Sequence, residues 1–183
     1  MRIFAYREEV SGLGRWTRVA DTRRNPVTHP GPTTPPTPAT IVSCPTCGAK
    51  NRVPAHATGV PRCAKCRGAL PWLVEAGASD FDRLTESRVP VLVDLWAPWC
   101  GPCRMVAPGV QRAAQEMAGR LKVVKVNVDQ APGVSARFGA QGIPTLLVLD
   151  HGRVVARQVG ALAEPQLLDW VSRSLASIPA ANG

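Results

Sequence analysis

All six cysteines of the chain fall into three C-x2-C pairs, Cys44/Cys47, Cys63/Cys66 and Cys100/Cys103, and the residues around each pair separate them chemically. Cys44-Pro-Thr-Cys47 is followed by Gly48, and Cys63-Ala-Lys-Cys66 by Arg67-Gly68, with fifteen residues between the two pairs. Each reads as a knuckle whose glycine lets backbone amides turn toward the sulfurs, and two knuckles make one tetrahedral site. Zinc suits this site because four thiolates at about 2.3 Å complete its coordination and leave no open position, so the expected role is structural. The surrounding stretch is small, basic and turn-forming, with almost no core of its own, and the metal would supply the missing folding free energy. Two disulfides or an iron–sulfur cluster use the same four ligands and stay open as rivals. His56 lies between the pairs, but four cysteines already suffice, so a surface histidine is expected there.

The third pair has a different setting. Trp99-Cys100-Gly101-Pro102-Cys103 stands where an apolar strand ending near Trp96 meets a following helix. A thiol at a helix N-terminus faces unpaired backbone N–H groups and the positive end of the helix dipole, which stabilise the thiolate. Cys100 is therefore the expected nucleophile. Cys103, one turn further in, is placed to attack a mixed disulfide from behind. Gly101 and Pro102 support the pair, Pro102 by restricting the turn and removing a competing donor.

From residue 72 onward the chain is strongly patterned. A short helix is expected from an N-cap at Ser79 through about Ser87, a strand over 91–96, and a helix over about 102–118 that Pro108 should kink. LKVVKVNV at 121–128 alternates as a strand does, and a short helix follows at about 132–138. TLLVL at 145–149 and RVVARQV at 153–159 form a strand pair around a tight turn in which His151 is only a turn residue. Pro165 opens a last helix with Leu167, Leu168, Val171 and Leu175 on one face. Strands alternating with helices imply an α/β domain whose sheet is covered on both faces.

Charge and composition narrow the function. The 22 basic and 13 acidic residues give a formal +9, yet they divide as 6 against 3 over 1–40, 5 against 1 over 41–75, and 11 against 9 over 76–183. The large C-terminal part is nearly neutral, and four thiolates on one zinc would lower the net charge by two. No arginine-rich stripe interleaved with aromatics appears, which argues against nucleic acid. No apolar run approaches the roughly 18 residues of a membrane span, and neither a secretory nor a twin-arginine leader is recognisable, so a cytoplasmic protein is expected. Residues 26–38 hold six of the 18 prolines and cannot form a packed element. Residues 1–40 read as a disordered extension, in which Phe4, Tyr6 and Trp16 leave a docking segment open.

The WCGPC motif, Asp94 in the preceding strand, Lys125 and Asp129 in KVNVD, Gly142-Ile143-Pro144-Thr145, Gly152 and Gly160 together resemble the thioredoxin family over about 76–176. With the four-cysteine module upstream and Ala97-Pro98 before the motif, the chain is similar to the zinc-binding bacterial thioredoxins. The resemblance implies the thioredoxin fold, a central mixed sheet with helices on both faces, behind a small zinc-ribbon-like module. Asp94 interrupts an apolar strand, where an ionised carboxylate is expensive unless paired, so it should be functional. By the resemblance it is a buried acid near Cys103 that takes that thiol's proton, with Lys125 on the neighbouring strand tuning it; a merely structural Asp94–Lys125 ion pair is the alternative. The resemblance also implies a cis Ile143–Pro144 peptide facing the active disulfide. Trp99, Gly142, Ile143, Pro144 and Gly160 would then form the substrate rim, and Trp96 is expected to support the core.

The combined expectation is a protein-disulfide reductase divided into an extension over 1–40, a zinc module over 41–72, a thioredoxin domain over 73–178 and a tail over 179–183. Its substrates would be disulfide-containing proteins. The chain carries no nucleotide-binding glycine motif and needs no bound organic cofactor, so the family implies an NADPH-dependent flavoprotein thioredoxin reductase as electron donor. An alternative from another class is a redox-gated, chaperone-like module whose four-cysteine site ejects zinc on oxidation.

Overall fold

In the computed structural model of the chain, the described residues are 39–57 and 59–179. The expected extension falls outside them as far as residue 38, and with it Phe4, Tyr6 and Trp16. The chain order is β1 (Ala39–Ser43), β2 (Lys50–Pro54), β3 (Leu73–Ala76), α1 (Phe81–Thr85), β4 (Val91–Trp96), α2 (Gly101–Glu116), β5 (Lys122–Asn127), α3 (Pro132–Arg137), β6 (Thr145–Asp150), β7 (Arg153–Val159) and α4 (Glu164–Ala176). The main sheet runs β3-β5-β4-β6-β7. β3, β5 and β4 are parallel, and β6 and β7 are antiparallel additions, so the sheet is mixed as expected.

The central strands are predominantly apolar because both of their faces are covered. Strand alternation sends Val91, Val93 and Leu95 of β4, with Val124 and Val126 of β5, into one core beside Phe81, Leu84 and Val134. Leu92, Val123, Leu146 and Val148 enter a second core against Val106, Val110, Ala113 and Met117 of α2 and Leu167 and Val171 of α4. The apolar face of α4 is narrower than its sequence suggests, since Leu168 and Leu175 are only half-buried while Ser174 is buried. α2 continues without interruption through Pro108 for 16 residues.

Two local expectations are corrected. α1 begins after Asp80 and ends at Thr85, shorter than the expected span, and Ser79 does not cap it. The Asp80 carboxylate accepts from the Gly77 amide at 2.7 Å, so it closes the preceding turn and gives no side-chain cap to the helix. β1, β2 and β3 had no counterpart in the pattern reading. β1 and β2 are antiparallel with Ser43 opposite Lys50, so the first knuckle is itself the hairpin turn. β1 starts at Ala39, two residues inside the expected extension over 1–40. The buried residues around the second knuckle, Val53, Ala55, Cys63, Leu70 and Trp72, belong to the same core as Phe81 and Val91. The four-cysteine stretch thus borrows its apolar burial from the sheet.

Candidate active site and metal centre

Cys100 is the N-cap of α2, and Pro102 occupies the helix's first turn, where its missing N–H costs nothing. Cys100 and Cys103 form a disulfide with Cα atoms 5.3 Å apart, and both are buried. The Cys103 amide donates to Cys100 Sγ at 3.1 Å, and this sulfur lies 3.8 Å from the Ile143 carbonyl oxygen. The Ile143–Pro144 peptide is cis, and the Pro144 carbonyl accepts from the Gly160 amide at 2.9 Å. A Cβ added at Gly142 or Gly160 would meet nothing within 4 Å, so the ground beside the pair is open. Trp99 is 68% exposed at its edge. Its indole N–H donates to Asp129 Oδ2 at 2.9 Å, which fixes the ring.

Asp94 is 3% exposed and points to the face of the sheet that carries α2. Burial pushes its carboxyl up to about 6, against the pull of Lys125. Lys125 is its register partner on β5, yet no salt bridge joins them among the described residues. The ammonium instead lies 4.4 Å over the Trp96 ring. Trp96 in turn packs against Ala97 and both redox cysteines, and its indole N–H is buried with no partner among the described residues.

The sulfurs of Cys44, Cys47, Cys63 and Cys66 all lie within 4.8 Å of one another. Four thiolates around zinc at 2.3 Å would sit about 3.8 Å apart, and the pairs Cys44/Cys66 and Cys47/Cys63 are at 3.5 and 3.7 Å. Each knuckle closes on itself: the Cys44 and Cys63 amides reach the Ala49 and Gly68 carbonyls, and the Gly48 and Arg67 amides reach the Cys44 and Cys63 carbonyls. The left-handed position is Gly48 in the first knuckle but Arg67 in the second. Gly68 serves packing instead, since a Cβ there would stand 3.0 Å from Thr46 Oγ1 of the other knuckle. The Cys66 amide holds the Cys63 thiol down to about 6 against the cost of burial. The Gly68 amide pulls the Cys66 thiol down, but its cysteine neighbours and burial together push it up to about 12. Four sulfurs this close cannot all ionise without a cation among them, and the donor set suits one thiophilic divalent ion.

Two residues, Asn51 and Lys122, escaped the sequence reading, and a third, His56, was misplaced by it. Asn51 touches both knuckles through its carboxamide. Lys122 is 1% exposed, donates to the Ala55 carbonyl at 3.2 Å and lies 4.2 Å from the Trp72 ring centre. Burial lowers its titration to about 8. Its position in the alternation, on the face shared with Val124 and Val126, was the available signal. His56 is not the surface histidine expected: both ring nitrogens are cut off from solvent without a partner among the described residues. Burial, then Arg83 and Lys122, hold it below the usual imidazole range, and it stands apart from the four sulfurs. His151 occupies the β6–β7 turn as expected.

No helix among the described residues is long and apolar enough to cross a membrane. Residues 73–173 match the thioredoxin family. A thioredoxin of Haemophilus influenzae is 47% identical over 98 residues, which cover 53% of this chain and 92% of that protein. Thioredoxin 1 of a Nostoc species is 50% identical over 90 residues, 49% of this chain and 84% of its own. Thioredoxin C-3 of Corynebacterium nephridii is 39% identical over 139 residues, 74% of this chain and 95% of that protein, so this likeness reaches outside 73–173. With a family match over more than half of the chain and a Cys100–Cys103 disulfide at a helix N-terminus, the chain belongs to the thioredoxin family and is a thiol–disulfide oxidoreductase.

Proposed function

We propose that the chain reduces protein disulfides through Cys100 and Cys103. The observation that carries this reading is the Cys103 amide on Cys100 Sγ at the start of α2, a placement that favours a thiolate at Cys100 in the dithiol form. The Cys100 thiolate attacks one substrate sulfur, forming a mixed disulfide and expelling the other sulfur as thiolate. Cys103 gives its proton to Asp94 and attacks Cys100 Sγ. The second substrate sulfur leaves, and Cys100–Cys103 closes as a disulfide, so two electrons have passed to the substrate. Lys125 sets the charge environment of Asp94, while Gly101 and Pro102 shape the turn. An extended substrate segment lies along Trp99, Gly142, Ile143, Pro144 and Gly160, where the backbone is open. An NADPH-dependent flavoprotein reductase returns the pair to the dithiol. Insulin-disulfide reduction tests the roles: wild type reduces, Cys100→Ser does not, and Cys103→Ser attacks but stays covalently bound to its substrate. Equal covalent adducts from both variants would overturn the assignment.

Cys44, Cys47, Cys63 and Cys66 hold one zinc ion in this reading, and it cross-links the two knuckles and neutralises their charge. The division into an extension over 1–40, a zinc module over 41–72, an oxidoreductase domain over 73–178 and a tail over 179–183 belongs to the same proposal. So does a cytoplasmic location, where thiols such as these are kept reduced. Elemental analysis finding iron, or no metal in reduced protein, would sink the zinc assignment. A redox-gated module is the second reading, and exposure of Cys66 alone among the four ligands favours it. A peroxide would take two electrons from a pair of these thiolates, forming a disulfide and water and freeing the metal.

A further inference from the structure

We propose that Asn51 is a positioning residue of the four-cysteine site, whose carboxamide locks the two knuckles together and holds the Cys63 sulfur as a ligand. Asn51 is half-buried in β2, just beyond the first knuckle, and its side-chain hydrogen bonds among the described residues all go to one knuckle or the other. Its Nδ2 group donates to the Ala49 carbonyl at 2.7 Å, the same carbonyl that accepts from Cys44 and closes the first knuckle. Nδ2 also lies 3.5 Å from Cys63 Sγ in the second knuckle. Oδ1 accepts from the Ala64 amide at 3.0 Å, inside the second knuckle between its two cysteines.

This arrangement fixes which way the amide faces. Ala64 supplies an N–H, so an oxygen must meet it, and the NH2 is then the group turned toward the sulfur. An N–H on a thiolate takes up part of its charge and holds it in one direction, which is how outer partners of metal ligands act. Serine is too short to span both knuckles. An aspartate would keep the Ala64 contact but turn a second negative charge on Cys63. A leucine would leave the Ala64 amide without its acceptor and the Cys63 sulfur without its N–H. Asparagine alone supplies two donors on one side and an acceptor on the other at this length.

The inference rests on the zinc reading above, and the experiment separates the two. The full chain is loaded with zinc, and metal release to a chromogenic chelator is timed for wild type, Asn51→Asp and Asn51→Ala. Loss of such an outer partner typically costs about 10- to 100-fold in metal affinity, and a faster release by that factor is expected in both variants. Each is also loaded with cobalt, whose thiolate-to-metal absorption shifts when Cys63 loses its N–H; a residue that merely fills space would leave that band unmoved. Insulin reduction by Cys100 and Cys103 stays at the wild-type rate and reports that the chain is folded. Asn51→Asp keeps the Ala64 contact, so it decides the matter if Asn51→Ala does not fold. A wild-type chain that holds no zinc removes the metal reading and this one with it. A wild-type chain that holds zinc, beside variants with the same release rate and cobalt band, overturns the role of Asn51 alone.

Discussion

Replacing Asp94 by asparagine should stabilise the protein at pH 8 and slow its chemistry. Burial moves the carboxyl's titration from 3.8 to about 6. A tenfold change in proton affinity is worth about 1.4 kcal/mol, so the ionised side chain costs the folded state about 3 kcal/mol. Between pH 3.8 and about 6 the folded chain keeps a proton that the unfolded chain has lost. Stability therefore falls as pH rises through that interval and stays level above it. Below it both states are protonated and no penalty remains. Asparagine is neutral throughout and close in shape to the protonated acid, so the cost of burying a polar group cancels in the comparison. The expected difference between Asp94→Asn and wild type is up to about 3 kcal/mol in favour of the variant at pH 8, and less than about 1 kcal/mol at pH 4. Equilibrium urea unfolding of the two oxidised proteins at both pH values measures it. The metal site's own pH dependence is common to both chains and drops out. In the proposed mechanism the same variant deprives Cys103 of its proton acceptor, so the mixed disulfide should break down more slowly, by up to about a hundredfold. A stability difference equal at pH 4 and pH 8, or a variant weaker at pH 8, would show that Asp94 is not a buried ionised acid.

The remaining expectations follow from other contacts. Lys122→Met removes an ammonium whose titration is lowered from 10.5 to about 8 by burial, so wild type should gain stability relative to the variant between those pH values, where the unfolded lysine still binds a proton that the folded one has released; parallel unfolding curves across pH 8–10.5 with no change in the difference would contradict this. Chelating the metal should lower the melting temperature of the redox domain itself, because Val53, Leu70 and Trp72 share a core with Phe81 and Val91; calorimetry showing an unmoved main transition would mean the two parts are independent. Asp129→Ala should free the Trp99 ring and raise KM for protein substrates while leaving reduction of a small disulfide unchanged; an equal effect on both would place Asp129 in the chemistry instead.

Some of this protein was written in adjacent residues. A C-x2-C pair dictates its own turn, so the two knuckles and the redox pair were recognisable from spacing and flanking residues alone. β4, α2, β5, β6 and β7 were legible for a similar reason: their periods of 2 and 3.6 persist over enough residues to outweigh local propensity. Asp94 stood out because a carboxylate inside VLVDLW violates the pattern around it. The short strands carried no such signal. β1 and β2 place one buried residue, Val53, among exposed and half-buried ones, and β3 has only four residues, so each exists because of the strand it pairs with.

The other features depend on contacts between residues far apart in the chain. Lys122 and Ala55 are separated by 67 positions, and Trp99 and Asp129 by 30. Asn51 acquires its role from a knuckle that begins twelve residues later. His56 looked like a spare surface imidazole, yet in the fold both of its nitrogens lose contact with solvent. The titration of Asp94 was likewise set by the layers packed around β4. Spacing determines which side chains a turn or a strand presents, because covalent geometry is local. Solvation and charge depend on what folds over them, because both act through space.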